Sequence, residues 1–314
     1  MTPFSTPVLF IVFNRPDTTQ QVFNAIRQAK PKKLFIAADG PRPNRSGETE
    51  KCEIVKAIVQ QVDWECEVKT LFRTENLGCA KGPMTAITWF FEHVEEGIIL
   101  EDDCLPHPSF FFYCQELLKY YRDNEKVMLI GGNQHLQDSI VMDMEYSYYF
   151  SAINYTWGWA TWKTTWQKYK FDLNDIPRCH LKQCLKLYFK NRNIHRAWLW
   201  YYEMVKNSFL NTCWDYQLTF SIWTNKGLCI APFKNLVSNI GFGEDATHTF
   251  NDSTGNEANM ATSDIGTLKH PTSIVQNRQI DETYCTNEGY SVGWIKYIYR
   301  MSRLYARKIY KGKR

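Results

Sequence analysis

Three consecutive carboxylates, Glu101-Asp102-Asp103, directly follow the apolar run Gly97-Ile98-Ile99-Leu100. Adjacent carboxylates repel one another, so clustering them needs a compensating cation. Hard oxygen ligands suit Mn²⁺ or Mg²⁺, and such an ion can bridge a diphosphate. The alternative is a solvated acidic turn, or the acidic start of a helix over 108–121. Trp214-Asp215-Tyr216-Gln217 sets a carboxylate between aromatic rings. Rings that exclude water raise a carboxyl pKa toward that of a general base. An Asp at a helix start in an aromatic core is the other reading. Asn14-Arg15-Pro16, Asp39-Gly40, and Arg73 with Asn76 and Gly78 each follow an apolar run. Singly they are a surface arginine or an Asp-Gly turn. At successive strand ends they describe a nucleotide bed, with Arg15 meeting phosphate or base, Asp39 accepting from base or ribose, and Arg73 extending it. His248, within Asp245-Ala246-Thr247-His248-Thr249, lies in a polar stretch with Gly241 and Gly243 as hinges. Such a loop can close over a substrate; alone, His248 is a surface histidine.

Strand ends present these groups only if strands and helices alternate, and over the first 130 residues they do. The pattern predicts strands at Pro7–Phe13, Lys33–Ala38, Cys66–Phe72, Gly97–Leu100 and Val127–Ile130. Helices are expected over 18–29, 48–62, 81–93 and 108–121. This is the rhythm of parallel β–α units and a doubly wound α/β sheet, whose ligands bind beyond the carboxyl ends of the strands. No G-x-G-x-x-G follows the first strand and no G-x-x-x-x-G-K-[ST] occurs, which argues against a dinucleotide fold and a P-loop. From 131 to 250 the rhythm breaks into Trp-rich segments, including Trp157-Gly158-Trp159-Ala160-Thr161-Trp162. Residues 251–289 are polar and read as a loop segment.

Composition sets the outer bounds. The chain has 314 residues, 44% hydrophobic and 22% charged, which fits a folded α/β protein rather than a disordered one. Aromatics reach 15%, consistent with a Trp-rich core or with a surface that stacks on sugars or bases. The ten cysteines include no C-x-x-C pair, so neither a zinc ribbon nor a thioredoxin motif is indicated. No apolar run is long enough for a membrane span, and no signal segment is expected at the start. The expected location is cytoplasmic. The net charge of +4 is unevenly placed, because after Glu288 there are eight bases and no acids. The body is therefore mildly acidic, which sets nucleic acid aside as a partner. Residues 290–314 read as a basic amphipathic helix. Trp294, Ile298, Met301, Leu304, Tyr305 and Ile309 share one face, and Lys296, Arg300, Arg303, Arg307 and Lys311 lie opposite. Such a helix suits the anionic inner face of a membrane, or packs on the domain with a solvated basic face.

In order along the chain, Val8 to Arg15, Ala38-Asp39-Gly40, Glu101-Asp102-Asp103 followed by Pro106, Pro108, Ser109, Phe110 and Phe111, then Gly158-Trp159, Trp214-Asp215, Cys229-Ile230-Ala231-Pro232 and Asn239-Ile240-Gly241-Phe242-Gly243 resemble glycosyltransferases of the GT-A type. The likeness is greatest to the N-acetylglucosaminyltransferase I group and bacterial family-2-like relatives, and spans roughly residues 7–250. It implies a GT-A fold, with a nucleotide-binding half over 1–130 and an acceptor half over 131–250. It also implies a nucleotide-sugar donor, usually a UDP-sugar, and a divalent cation. By the resemblance Asp103 touches the metal, with His248 as a further metal candidate. Glu101 and Asp102 hold ribose and sugar, Arg15 and Asp39 lie by the base, and Thr247 sits in a loop over the diphosphate. Asp215 matches the catalytic base, and Trp157, Trp159 and Trp214 are candidate sugar or acceptor contacts.

The resulting expectation is a metal-dependent, inverting glycosyltransferase acting on a glycan or lipid-linked acceptor in surface polysaccharide synthesis. A non-catalytic carbohydrate-binding protein would need no intact carboxylates, yet all four are present. A sugar-phosphate nucleotidyltransferase would carry a Gly-rich basic loop after the first strand, where this chain has Asn14-Arg15-Pro16-Asp17.

Overall fold

A computed structural model describes residues 4–135, 145–209, 213–242 and 259–311, with side chains as far as Lys308. Strand β1 (Val8–Val12) is almost wholly buried and pairs in parallel with β2 (Lys33–Ala38) on one side and β4 (Glu96–Glu101) on the other. Strand β3 (Glu67–Phe72) extends the sheet beyond β2. It is an edge strand, and its exposed Glu67 and half-buried Lys69 put charge along that edge, which discourages further pairing. The eight-stranded sheet has the order β3-β2-β1-β4-β8-β6-β9-β7. Here β6 is Val127–Gly131, β7 Tyr148–Ser151, β8 Trp159–Trp162 and β9 Leu228–Pro232. Strand β8 is antiparallel to both neighbours, and β7 is antiparallel to β9. The sheet is therefore mixed.

Helices α1 (Pro16–Ala29) and α2 (Glu48–Val59) make the crossovers β1→β2→β3 and pack on each other. Helix α3 (Gly78–His93) carries the chain back from β3 to β4 on the far side of β1. Right-handed crossovers that run first one way and then the other place α1 and α2 on one face and α3 on the opposite face. The strand order thus reverses between β1 and β4, and a doubly wound sheet opens its ligand crevice at that point. Helix α4 (Pro108–Tyr120) follows the short strand β5 (Cys104–Pro106), which pairs with β10 (Val237–Asn239) in a separate two-stranded ribbon.

The second half is largely helical: α5 (Lys163–Trp166), α6 (Arg178–Tyr188), α7 (Arg192–Lys206), α8 (Asp215–Thr224), α9 (Arg278–Asn287) and α10 (Trp294–Lys311). Helix α9 corrects the expectation of a loop over 251–289. Its composition is polar, but Asn277 caps it by accepting from the Ile280 N–H, and Ile280, Asp281 and Cys285 are buried. Asp281 accepts from the Ser151 hydroxyl at 2.5 Å, the Ala152 N–H at 2.8 Å and the Gln276 amide at 2.6 Å. Burial pushes its carboxyl up to about 6, against the pull of those donors. This one side chain fastens α9 to the end of β7.

Helix α10 forms where expected, but its faces divide differently. Met301 and Leu304 pack inward together with Tyr297, whereas Trp294, Ile298 and Tyr305 remain exposed. Arg300, placed on the basic face by the sequence, lies over the Trp200 ring of α7 at 4.6 Å.

Replacing Asp281 with Ala strands two buried donors and one half-buried donor at once. It should cost about 3 kcal/mol and lower the thermal midpoint measured by scanning calorimetry. Asp281→Asn should cost less.

Candidate functional site

The acidic triplet sits at the switch point. Glu101 ends β4, and Asp102 and Asp103 form the turn into β5. Asp102 Oδ2 accepts from the Phe13 N–H at 3.1 Å, stapling β4 to the end of β1. Arg15, two residues further along, reaches the same carboxylates. Its Nη1 lies 2.6 Å from Asp103 Oδ2 and 3.6 Å from Asp102 Oδ1. Pro16 begins α1 and keeps Arg15, at φ -117° and ψ 82°, out of the helical region.

The sequence offers Arg15 to a phosphate or base of the donor; the structure shows its guanidinium on the acids. Part of the positive charge that the triplet requires is therefore supplied by the chain. The compensation is incomplete. Desolvation, followed by repulsion from its acidic neighbours, pushes the Glu101 and Asp102 carboxyls well above the usual carboxylate range, and Arg15 opposes the shift. Asp215 is among the charges that raise Glu101. The Trp-flanked carboxylate and the strand-end triplet thus share one electrostatic neighbourhood, although more than a hundred residues separate them in sequence.

Asp39 and Arg73 lie beyond β2 and β3. Both Asp39 oxygens accept from the Leu77 N–H, and Oδ2 also accepts from the Gly78 N–H, all at 3.0 Å. Asp39 thereby closes the start of α3, a role the sequence reading did not give it. Arg73 donates to Thr85 Oγ1 at 2.7 Å and supports Asp39 electrostatically. Sequence reasoning also missed Glu48. Buried at the first position of α2, it accepts from Asn14 Nδ2 at 2.9 Å and from the Arg42 N–H and guanidinium. Those bonds hold the Glu48 carboxyl below its ordinary value and fix the residue preceding Arg15. An isolated Glu after a polar loop carries no signal of that function.

Gly241 backs Asp103 from the other side. A Cβ there would come within 2.6 Å of Asp103 Cβ, and the Ile240 N–H donates to the Asp103 carbonyl at 2.8 Å. Ribbon β5–β10 delivers this contact. The residues that follow, 243–258, include Thr247 and His248 and lie outside the described residues.

A cavity of about 300 Å³ opens beside Asp215. Its walls include His135, Asn154, Tyr155, Trp157, Trp198, Tyr216, Tyr284, Glu288 and Tyr290. Asn154 donates to the Asp215 carbonyl at 3.3 Å and accepts from Thr219 Oγ1 at 2.5 Å, which locks the first turn of α8 to the wall. The Tyr169 hydroxyl donates to the Trp214 carbonyl at 3.1 Å. Of the three tryptophans offered by the sequence as sugar or acceptor contacts, Trp157 lines the cavity. Trp159 and Trp214 do not: they are 1% and 6% exposed and stack on each other at 5.5 Å. On β8, which pairs with β4 and β6, Trp159 packs in the core, so both rings support the site from behind. Helix α9 and the residues after it supply Tyr284, Glu288 and Tyr290 to this cavity, from the stretch read in sequence as a loop.

No protein-family model matches the chain, and no curated protein sequence is recognisably similar. Among solved structures it is partly similar to HddC from Yersinia pseudotuberculosis (9% identity, 51% of this chain, 77% of that one, TM-score 0.32). It is likewise similar to the inositol-1-phosphate CTP transferase of T. maritima (10%, 52% and 73%, TM-score 0.32). A third is a UDP-glucose pyrophosphorylase complexed with UDP-glucose (10%, 47% and 62%, TM-score 0.28). At this level the likeness carries no argument about activity, and the chemistry rests on the residues themselves.

Among the described residues no three His, Cys, Asp or Glu side chains are grouped to hold a metal. Asp103 offers carboxylate oxygens, one already meeting Arg15 and the other accepting from the Cys104 thiol at 3.4 Å. A closed protein cage is not what the described residues present. The donor set fits a divalent ion that takes one or two carboxylates from the protein and its remaining oxygens from substrate phosphates and water.

The raised Glu101 and Asp102 groups give a sign to the pH dependence. An acid whose folded pKa exceeds its unfolded value near 4 leaves the folded state holding more protons, so stability falls as pH rises from there through the raised pKa. Arg15→Met removes the opposing charge. Its thermal midpoint should drop more at pH 8 than at pH 5, by scanning fluorimetry; an equal drop would contradict this electrostatic account.

Proposed function

We propose that this chain is a glycosyltransferase that moves a sugar from a nucleotide-sugar, a UDP-sugar on the family resemblance, to a hydroxyl of a saccharide acceptor. The observation that supports it most directly is the position of Asp215. Asp215 lines the aromatic-walled cavity, and its charge raises Glu101 in the triplet at the sheet's switch point. A base between a polyol-sized cavity and a diphosphate site is what direct transfer to a hydroxyl requires.

The donor lies across the ends of β1 to β4, with its diphosphate at Arg15 and Asp103 and its base toward Asp39 and Arg73. Glu101 faces the transferred sugar. Asp103 would hold a divalent ion such as Mn²⁺ or Mg²⁺, which would supply charge stabilisation to the leaving diphosphate. Arg15 adds a fixed positive group from the chain itself. Asp215 takes the proton from the acceptor hydroxyl as its oxygen bonds to the anomeric carbon; the bond to the diphosphate oxygen breaks, and the configuration inverts. The aromatic walls, Trp157 and Tyr216 among them, stack on the acceptor's apolar ring faces and exclude water, which would otherwise take the sugar.

Asp215→Asn should lower kcat by at least about a hundredfold while leaving donor affinity nearly unchanged, as expected for loss of general base catalysis. Retention of near-normal turnover would refute the assignment. By calorimetry, Mn²⁺ alone should bind weakly, Mn²⁺ with UDP should bind tightly, and Asp103→Ala should remove the difference. A thermal-shift screen of nucleotide-sugars with and without Mn²⁺ identifies the donor class. Formation of nucleotide-sugar from a nucleoside triphosphate and a sugar phosphate would instead establish nucleotidyl transfer.

A further inference from the structure

The outward face of α10 has a composition that its packing does not explain. Tyr297, Met301 and Leu304 bury against α7, and Lys308 turns inward to within 3.6 Å of Glu203. These residues satisfy the helix's contact with the body. Yet Ile295 is 86% exposed, Trp294 60%, Tyr299 59%, Tyr305 50% and Ile298 48%. At 100° per residue these five, with Ser302 and Ala306, form one uncharged arc away from α7. Lys296, Arg303 and Arg307 run along one edge of that arc, all exposed, and none forms an ion pair among the described residues. At the other edge Arg196 of α7 lies over the Trp294 ring at 5.3 Å.

We propose that this face is a docking surface for an anionic lipid leaflet, with α10 lying in the plane of the interface. Its aliphatic and aromatic side chains enter the boundary between headgroups and acyl chains, where Trp and Tyr are favoured, and the basic edge meets lipid phosphates. Charge decides the occupant. After Glu288 the chain has no acid, so pairing the face with a second copy would bring Lys296, Arg303 and Arg307 against groups of the same sign. A leaflet offers opposite charge over its whole area. The outward residues contribute little to packing, so their exposure is not the by-product of a core.

The test is sedimentation of the full chain with vesicles of phosphatidylcholine alone and of phosphatidylcholine mixed with phosphatidylglycerol. Two variants keep the inward residues intact: Ile295→Ser with Ile298→Ser and Tyr299→Ser, and Lys296→Gln with Arg303→Gln and Arg307→Gln. Unchanged circular dichroism confirms folding. Wild-type protein should bind only the anionic vesicles, and less as salt rises. The charge variant should bind on the order of a hundredfold more weakly, at about fivefold per base, and the apolar variant should lose salt-resistant binding. Absence of binding to anionic vesicles, or equal binding by wild type and both variants, overturns the proposal. So does a concentration-dependent dimer that the apolar variant abolishes while vesicles remain unbound. Sugar transfer is not measured, so a negative result leaves the catalytic proposal standing.

Discussion

The contact between Arg15 and the carboxylates of Asp102 and Asp103 is what allows three acids to share a half-buried turn. Without it, like charges would meet in a region of low dielectric, where repulsion is several times stronger than in water. Much of the surrounding architecture serves this contact. The Phe13 N–H anchors Asp102, Glu48 anchors Asn14, Pro16 keeps Arg15 out of the helical region, and the backbone at Gly241 confines Asp103. Such pairs add little net stability once desolvation is counted. A cluster of carboxylates with partial compensation is better explained by what it receives than by what it holds together.

Two halves of different character meet there. The first is a sheet whose strand ends carry charge. The second is helical and aromatic, and it forms a cavity of polar edges and ring faces with Asp215 at its margin. On the proposed function the first half takes the diphosphate and the second the saccharide. Each is ordinary taken alone. They meet electrostatically where Asp215 raises Glu101, and the proposed transfer rests on that junction.

The strands before residue 131 were legible because buried parallel strands such as β1, β2 and β4 are nearly continuous apolar runs, and every strand expected there is present; β3, at the edge, departs from that pattern. Asp215 stood out because aromatic residues flank it, and the triplet because acids rarely follow such a run. What failed had physical causes. Trp159 and Trp214 have the same composition whether a ring faces a ligand or a core, and only burial separates the two cases. Helix α9 was hidden because a buried carboxylate, Asp281, holds it in place instead of an apolar stripe. The contact of Arg15 with the acids was not legible, because sequence reports that a guanidinium is present, not which way it reaches. The apolar and basic faces of α10 were misdrawn because an amphipathic pattern has one axis, whereas this helix has an inner contact and an outer face, both partly apolar.

Helix α7 gives these parts a mechanical relation. Trp198 projects from it into the cavity, stacked on Tyr290 at 4.9 Å, while Ala197 and Trp200 on the same turn carry α10. A stiff rod of four turns cannot roll under one load and stay still under the other. Tilting the terminal helix would swing the indole in the cavity wall, so the aperture would register what leans on the protein from outside.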